Sequence, residues 1–146
     1  MGSNSGARVN KINDILSTDR MKNSADIVFA SVGTNNIGGN RGVLQKDFED
    51  LFKILKERKT VSAVCGILPR PSAGPHWNAH ARSCNDWLKQ MCIASSGIHF
   101  IDAWDLFYDR ARLFSKDGVH LSEQGKAVFA GNIARTTKNI FFPFLA

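Results

Sequence analysis

The sequence predicts an α/β fold in which a mostly parallel sheet lies between two layers of helices. Three apolar runs rich in β-branched residues, at 26–32, 61–67 and 98–101, are typical of strands buried on both faces. Segments with helical periodicity separate these runs, and strands that alternate with helices form parallel sheets through right-handed crossovers. We therefore expect a three-layer α/β/α architecture.

The helices are predicted from apolar residues that recur at i, i+3, i+4 and i+7. Residues 8–19 carry a short pattern of this kind, and residues 44–55 carry a longer one. After a loop rich in proline and glycine, a third helix is expected to open at Asn78 or nearby. Ser122 can N-cap a last helix that extends to about Lys138.

The chain length predicts a single domain. Its 146 residues can bury one apolar core and are too few for two. Within the domain 1–146, we expect a flexible start at 1–5 and an apolar tail at 140–146. The sequence has no signal-peptide pattern and no apolar run long enough to span a bilayer. It has three cysteines, an odd number that does not indicate a disulfide framework. An intracellular, cytoplasmic protein without disulfides or membrane contacts is expected.

The basic character of the chain leaves nucleic-acid binding open. The formal net charge is +6, but the basic residues are scattered along the sequence. The one cluster, at 53–59, lies on a helical pattern and is most simply a solvated helix face. Charge alone therefore gives only weak support for a nucleic-acid partner.

Two short motifs lie where an open α/β sheet carries its functional residues, beyond the carboxyl ends of strands. Gly33-Thr34-Asn35-Asn36 follows the first strand, and Asp117-Gly118-Val119-His120 precedes the last helix. An Asp three residues before a His can hold one ring nitrogen and leave the other as a general base. A Gly-x-Asn turn can direct its amide at a developing oxyanion. Each motif alone is most simply a surface turn, whereas the two together are more specific.

These motifs resemble the Gly-x-Asn-Asp and Asp-x-x-His blocks of the SGNH/GDSL-type serine hydrolases, which have a flavodoxin-like fold. The similarity is closest to the variant of this domain in LINE-type retrotransposon proteins of fish and invertebrates. That variant has counterparts of Ser5-Gly6-Ala7-Arg8-Val9, of the segment 100–107 and of the segment 113–122. Nearly the whole chain from Ser5 onward is similar to it.

The resemblance implies a role for four residues. His120 would be the general base, Asp117 its orienting partner, and the Asn35 side chain an oxyanion-hole donor. The backbone N–H of Gly6 would be a second donor. Asn36 stands where the family usually has Asp, which changes little of this chemistry.

The nucleophile of the family is the Ser of a Gly-Asp-Ser motif, and this sequence contains no Gly-Asp-Ser. Ser3 and Ser5 lie in the expected flexible start. We therefore expect an SGNH domain truncated at its N-terminus: an ester or thioester hydrolase, or a remnant of one, inactive as this chain. The resemblance implies no metal and no organic cofactor. Two alternatives stay open, a non-catalytic module that binds protein or nucleic acid, and a fragment of a longer protein that carries Gly-Asp-Ser upstream.

Weaker signals suggest a partner and a metal. In the family, the nucleophile-bearing strand lies beside the one from Ile27 to Val32, so an exposed edge there is expected to pair with a second copy or another chain. His76, His80 and Cys84 are spaced by four, as metal ligands on one helix face would be. A polar helix flank with Cys84 turned inward explains the same spacing more simply.

Overall fold

The structure, a computed structural model, describes residues 27–31, 41–57 and 61–141. Within these ranges the chain alternates strands and helices. The elements, in chain order, are β1 (Ile27–Ser31), α1 (Arg41–Glu57), β2 (Val61–Cys65), α2 (Gly74–Ile93), β3 (Ile98–Ile101), α3 (Trp104–Phe107) and α4 (Glu123–Phe141). Two 3-10 turns, Pro71–Ala73 and Ala111–Leu113, precede α2 and follow α3.

The three strands form a parallel sheet in the order β1-β2-β3. In the register, Ile27 pairs with Val61 and Ser62 pairs with Ile98. The sheet is extended past the last pair by a bond of 2.9 Å from the Gly66 N–H to the Ile101 carbonyl. This parallel pairing confirms the predicted topology.

Helices cover both faces of the sheet because successive side chains of β2 point to opposite sides. On one face, Val64 belongs to a core with Phe48 and Leu51 of α1 and Leu88 of α2. On the other face, Ala63, Cys65 and Ile101 form a second cluster that packs against Phe129 and Ile133 of α4. The architecture is therefore the three-layer α/β/α arrangement that the sequence predicts.

Two predicted boundaries are wrong. β2 ends at Cys65 rather than at residue 67. The Gly66 N–H still donates to the Ile101 carbonyl, but the N–H and C=O of Ile67 bond to the Asn85 side chain of α2 instead of a strand. α2 begins at Gly74 rather than near Asn78. Pro75 does not delay it, since a first-turn proline lacks only an N–H that the helix would leave unpaired anyway.

The remaining predictions are met in part or lie outside the described ranges. The segment after β3, predicted as a loop, contains α3 and the turn Ala111–Leu113. α4 extends to Phe141, so the first residues of the expected tail at 140–146 are helical. The predicted helix at 8–19 and the start at 1–5 lie outside the described residues. Among the helices of the described ranges, none has both the length and the apolarity needed to cross a membrane.

We predict that the chain self-associates through β1. This strand pairs with β2 along one edge, and none of the described strands pairs with its other edge. Its sequence, Ile-Val-Phe-Ala-Ser, has neither the charge nor the proline that discourages another strand from adding. A second copy could therefore extend the sheet through backbone hydrogen bonds.

Size-exclusion chromatography with light scattering over a concentration series measures this association. The mass is expected to rise above that of a monomer, and the amides of residues 27–31 are expected to exchange more slowly as concentration rises. A monomer at every concentration, with exchange at 27–31 independent of concentration, would contradict the prediction.

Candidate active site

The Asp117–His120 segment forms the tip of a closed loop with an anchored stem. An antiparallel bridge joins Phe114 to Leu121, and the Ser115 N–H donates to the His120 carbonyl at 2.8 Å. Phe114 is buried and packs edge-on against Phe107, with 5.9 Å between ring centroids. The stem therefore lies in the core, while the tip reaches solvent.

The Asp117 carboxylate organises the tip of the loop. Its Oδ1 accepts hydrogen bonds from the backbone N–H groups of Val119 and His120, both at 2.9 Å. The Ser115 hydroxyl lies 2.8 Å from the same oxygen and 3.1 Å from the His120 carbonyl, and it can donate to one of them at a time. Oδ2 lies 2.5 Å from Nδ1 of the His120 ring. One carboxylate thus orients both the backbone and the imidazole.

These donors keep Asp117 ionised. The His120 ring lowers the pKa of Asp117 most, followed by the backbone N–H groups of Val119 and His120 and by the Ser115 hydroxyl. The pKa therefore falls well below its ordinary value of 3.8, because every one of these donors interacts best with the charged carboxylate.

The geometry leaves the second ring nitrogen of His120 available. When Nδ1 carries the proton that it donates to Asp117, Nε2 holds a free lone pair and can act as a base. The His120 side chain is 73% exposed and that of Asp117 is 47% exposed. Within the part of the chain that the structure describes, the imidazole is thus open to a reacting group.

Helix α4 and the loop after β2 place this tip at the carboxyl edge of the sheet. Ser122 N-caps α4, as predicted, by accepting the Gly125 N–H at 3.1 Å, and the Ser122 hydroxyl also donates to the Arg112 carbonyl at 2.8 Å. Gly125 packs so close to the Leu113 carbonyl that it leaves no room for a Cβ. On the other side, a Cβ on Gly118 would lie 2.8 Å from that of Ser72, which follows β2. Gly118 also has a φ of 67°, which favours glycine.

Two asparagines of α2 hold the loop after β2. Asn85 is buried; its Oδ1 accepts the Ile67 N–H at 2.7 Å, and its Nδ2 donates to the Ile67 carbonyl at 2.8 Å. Asn78 bonds Arg70 in the same way, at 2.8 Å and 3.0 Å. The two lie seven residues apart, so they share one face of the helix. After Gly66, these two side-chain amides take the place of strand pairing. They thereby position the segment that touches Gly118.

The oxyanion donors expected from the resemblance, Asn35 and Gly6, lie outside the described residues. The oxyanion-hole roles of Asn35 and Gly6 therefore stay predictions. The described serines next to the loop are not placed as nucleophiles. The Ser115 hydroxyl bonds to Asp117 and to the His120 carbonyl, and neither Ser115 nor Ser72 bonds to the His120 ring among the described residues.

The cysteines and the metal candidates do not form a second site among the described residues. Burial raises the pKa of Cys65 to about 11 and that of Cys92 to about 12, so neither is a thiolate at neutral pH. His76, His80 and Cys84 all lie on α2, with Cys84 turned into the core. No three His, Cys, Asp or Glu side chains in the described ranges are grouped to hold a metal ion.

The sequence matches the GDSL-like Lipase/Acylhydrolase family over residues 2–128. The chain belongs to this family. Its membership confirms the SGNH/GDSL resemblance, and the matched stretch includes both Asp117 and His120. Among curated proteins, none matches the chain significantly.

Solved structures of this family's fold agree with the assignment. The esterase domain of the ZfL2-1 ORF1 protein from the zebrafish ZfL2-1 retrotransposon is 33% identical, with a TM-score of 0.62 over 73% of this chain and 69% of that one. It represents the retrotransposon variant that the sequence predicts.

Two less similar structures show the fold alone. A family 3 carbohydrate esterase of Clostridium thermocellum is 24% identical, with a TM-score of 0.68 over 93% of this chain and 67% of that one. The gut microbial diltiazem-metabolizing enzyme BT4096 is 16% identical, with a TM-score of 0.76; the alignment covers 89% of this chain and 37% of that enzyme.

The residues that support the Asp117–His120 pair are not among those predicted from the sequence. Ser115 stands two residues before Asp117, and a Ser-x-Asp-Gly pattern is a signal for a side-chain-capped turn. Asn78 and Asn85 carry only the weaker signal of two amides at a spacing of seven on one helix. Their partners, Ile67 and Arg70, become evident only in the folded chain.

We predict that Asp117→Asn reverses the tautomer of His120. The new amide would donate a hydrogen bond to Nδ1, and the proton of the neutral ring would then reside on Nε2, where it blocks the base. The ¹⁵N chemical shifts of the imidazole report the tautomer directly. The exposed Asp86→Asn on α2 is the control and should leave these shifts unchanged.

The same substitution is predicted to change stability in a pH-dependent way. Because the folded pKa of Asp117 is depressed, its ionised form stabilises the fold above its ordinary pKa of 3.8. This contribution is lost as pH falls through the lower folded value. The free energy of unfolding of the wild type should therefore exceed that of Asp117→Asn at pH 7, and the gap should narrow below about pH 4. A gap that is constant from pH 7 to pH 2 would contradict the assigned cause.

We predict that Asn85→Ala lowers the free energy of unfolding by about 2–4 kcal/mol, because it leaves a buried N–H and a buried C=O of Ile67 unpaired. Denaturant unfolding measures the change. Asp86→Ala, at the neighbouring exposed position, should cost no more than about 0.5 kcal/mol. Equal effects of the two variants would show that the amide clamp contributes nothing.

Proposed function

We propose that Asp117 and His120 form the orienting and general-base half of an ester-hydrolysing site. The observation that carries the proposal is the 2.5 Å contact between Asp117 Oδ2 and His120 Nδ1, on a loop that leaves Nε2 exposed. A carboxylate that holds the imidazole in one tautomer and stabilises its protonated form is what base catalysis on a hydroxyl nucleophile requires.

In this reaction His120 would take the proton of a serine hydroxyl as that oxygen attacks the ester carbonyl. The positive charge that forms on the ring would be stabilised by Asp117. His120 would then give the proton to the leaving alcohol, and water would release the acyl group by the same route. Asn35 and the Gly6 N–H are the proposed donors to the oxyanion.

We further propose that the 146-residue chain does not hydrolyse esters by itself. Its sequence has no Gly-Asp-Ser, and neither Ser72 nor Ser115 hydrogen-bonds to the His120 ring. If no serine outside the described ranges reaches it, the imidazole can activate only water, which is a weaker and unpositioned nucleophile. The esterase named in the similar zebrafish domain supports the reaction class, and the described loop supports the base.

A non-catalytic module that binds another chain is the second candidate. The observation in its favour is the outer edge of β1, which none of the described strands pairs with. Such a role would need the fold and the edge but not the base. Hydrolysis and strand addition are therefore separable by variants at His120, which lies on a different element.

We predict that the isolated chain hydrolyses p-nitrophenyl acetate and butyrate no more than about tenfold faster than free imidazole at the same concentration. The reason is that a single exposed imidazole without a positioned nucleophile loses most of the advantage of proximity. Release of p-nitrophenolate at pH 8 measures the rate, and His120→Ala gives the background.

A rate more than about a hundredfold above imidazole that disappears in His120→Ala would contradict inactivity while supporting the base. Three variants would then locate the nucleophile. Ser72→Ala and Ser115→Ala test the described serines beside the loop, and a double Ser3→Ala, Ser5→Ala variant tests those near the first residue. A rate that is high and unaffected by His120→Ala would contradict the proposed site itself.

A further inference from the structure

The guanidinium of Arg70 has no hydrogen-bond or ion-pair partner among the described residues, and Arg70 lies two residues before Ser72, which contacts Gly118. Its guanidinium carbon lies 4.8 Å from the centroid of the Trp77 ring, so the group stacks on the indole. Its Nε is buried and has no hydrogen-bond partner among the described residues. None of the ion pairs within the described ranges involves Arg70. A half-buried cation without a carboxylate partner is unusual, since burial makes an uncompensated charge costly.

The backbone of Arg70 is held in place on both sides. Its N–H donates to Asn78 Oδ1 at 2.8 Å, and its carbonyl accepts from Asn78 Nδ2 at 3.0 Å. The same Nδ2 also donates to the Gly74 carbonyl at 2.7 Å, which ties this clamp to the first turn of α2. Trp77 lies one position before Asn78, so one helical turn both fixes the backbone of Arg70 and supports its side chain.

Arg70 and the catalytic loop are carried by segments in direct contact. Ser72 touches Gly118, and two residues of extended chain span at most about 7 Å, so the Cα of Arg70 lies no farther than that from the Cα of Ser72. Gly118 is flanked by the Asp117–His120 contact pair. Arg70 and the exposed imidazole are therefore on segments that touch at Ser72 and Gly118.

We propose that Arg70, stacked on Trp77, binds an anionic group of the substrate, so that the site takes esters carrying a carboxylate or a phosphate. This substrate class rests on the function proposed above for Asp117 and His120. A guanidinium is planar and always charged, and it donates two parallel hydrogen bonds to an oxyanion. Stacking on Trp77 holds that plane before the ligand arrives, which lowers the entropy lost on binding.

The proposal is tested by titrating the ¹⁵N-labelled chain with three probes: butyrate, inorganic phosphate and the neutral butyramide. Butyrate or phosphate is expected to shift the Trp77 indole and the Gly118 amide, and butyramide is expected to shift neither. A response to butyrate alone identifies a carboxylate site, and a response to phosphate alone identifies a phosphate site. No response to either anion, or an equal response to butyramide, would overturn the proposal.

Matched variants assign the binding to Arg70. Arg70→Gln should weaken anion binding at least about tenfold, since it removes the charged donor. Arg82→Gln, at an exposed position on α2, should leave it unchanged. If Arg70→Gln fails to fold, Arg70→Lys serves instead, because it keeps the charge but loses the planar fork and should weaken binding severalfold. Undiminished binding in the folded Arg70 variant would overturn the assignment.

A His120→Ala variant separates this inference from the proposed function. Anion binding that survives His120→Ala and is lost in Arg70→Gln supports the site at Arg70 whether or not His120 is a base. Anion binding that is lost in His120→Ala but kept in Arg70→Gln assigns the anion to the imidazole and overturns the role of Arg70.

Discussion

The Asp117 carboxylate is the group on which the candidate site depends, because one side chain organises both the loop and the base. Its Oδ1 accepts two backbone N–H groups that would otherwise be unpaired at the tip, and its Oδ2 holds the imidazole. Loop and base therefore cannot be disturbed separately. The tip of the loop is exposed and has little packing around it. Local hydrogen bonds to the charged Asp117 carboxylate hold its geometry instead.

The position of that loop depends on contacts that are far apart in sequence. Its stem is anchored by the packing of Phe114 on Phe107 and by the close approach of Gly125 to Leu113. Its tip meets Ser72, which lies two residues after Arg70, where Asn78 of α2 holds the chain that follows β2. Helices on both faces of the sheet thus converge on the same edge, where parallel strands end together.

The two asparagines of α2 also link the Asp117–His120 loop to the proposed anion-binding residue. Asn78 holds the backbone of Arg70, and Trp77 supports its guanidinium. Ser72, in the same loop as Arg70, contacts Gly118. A helix face that holds a loop can therefore also support a charged side chain on that loop.

The sequence by itself determined the alternation of strands and helices, the parallel sheet, the N-cap at Ser122 and the Asp-x-x-His pair, because each depends on local periodicity or on residues close in the chain. Asp117 meets His120 across three residues, a contact that a tight loop can form alone. The end of β2 at Cys65, the start of α2 at Gly74 and the clamp by Asn85 were decided only in the tertiary structure. Their causes are long-range. Whether a backbone amide bonds to a strand or to a side-chain amide depends on which helix packs over it. No local pattern in the sequence indicates which helix that is.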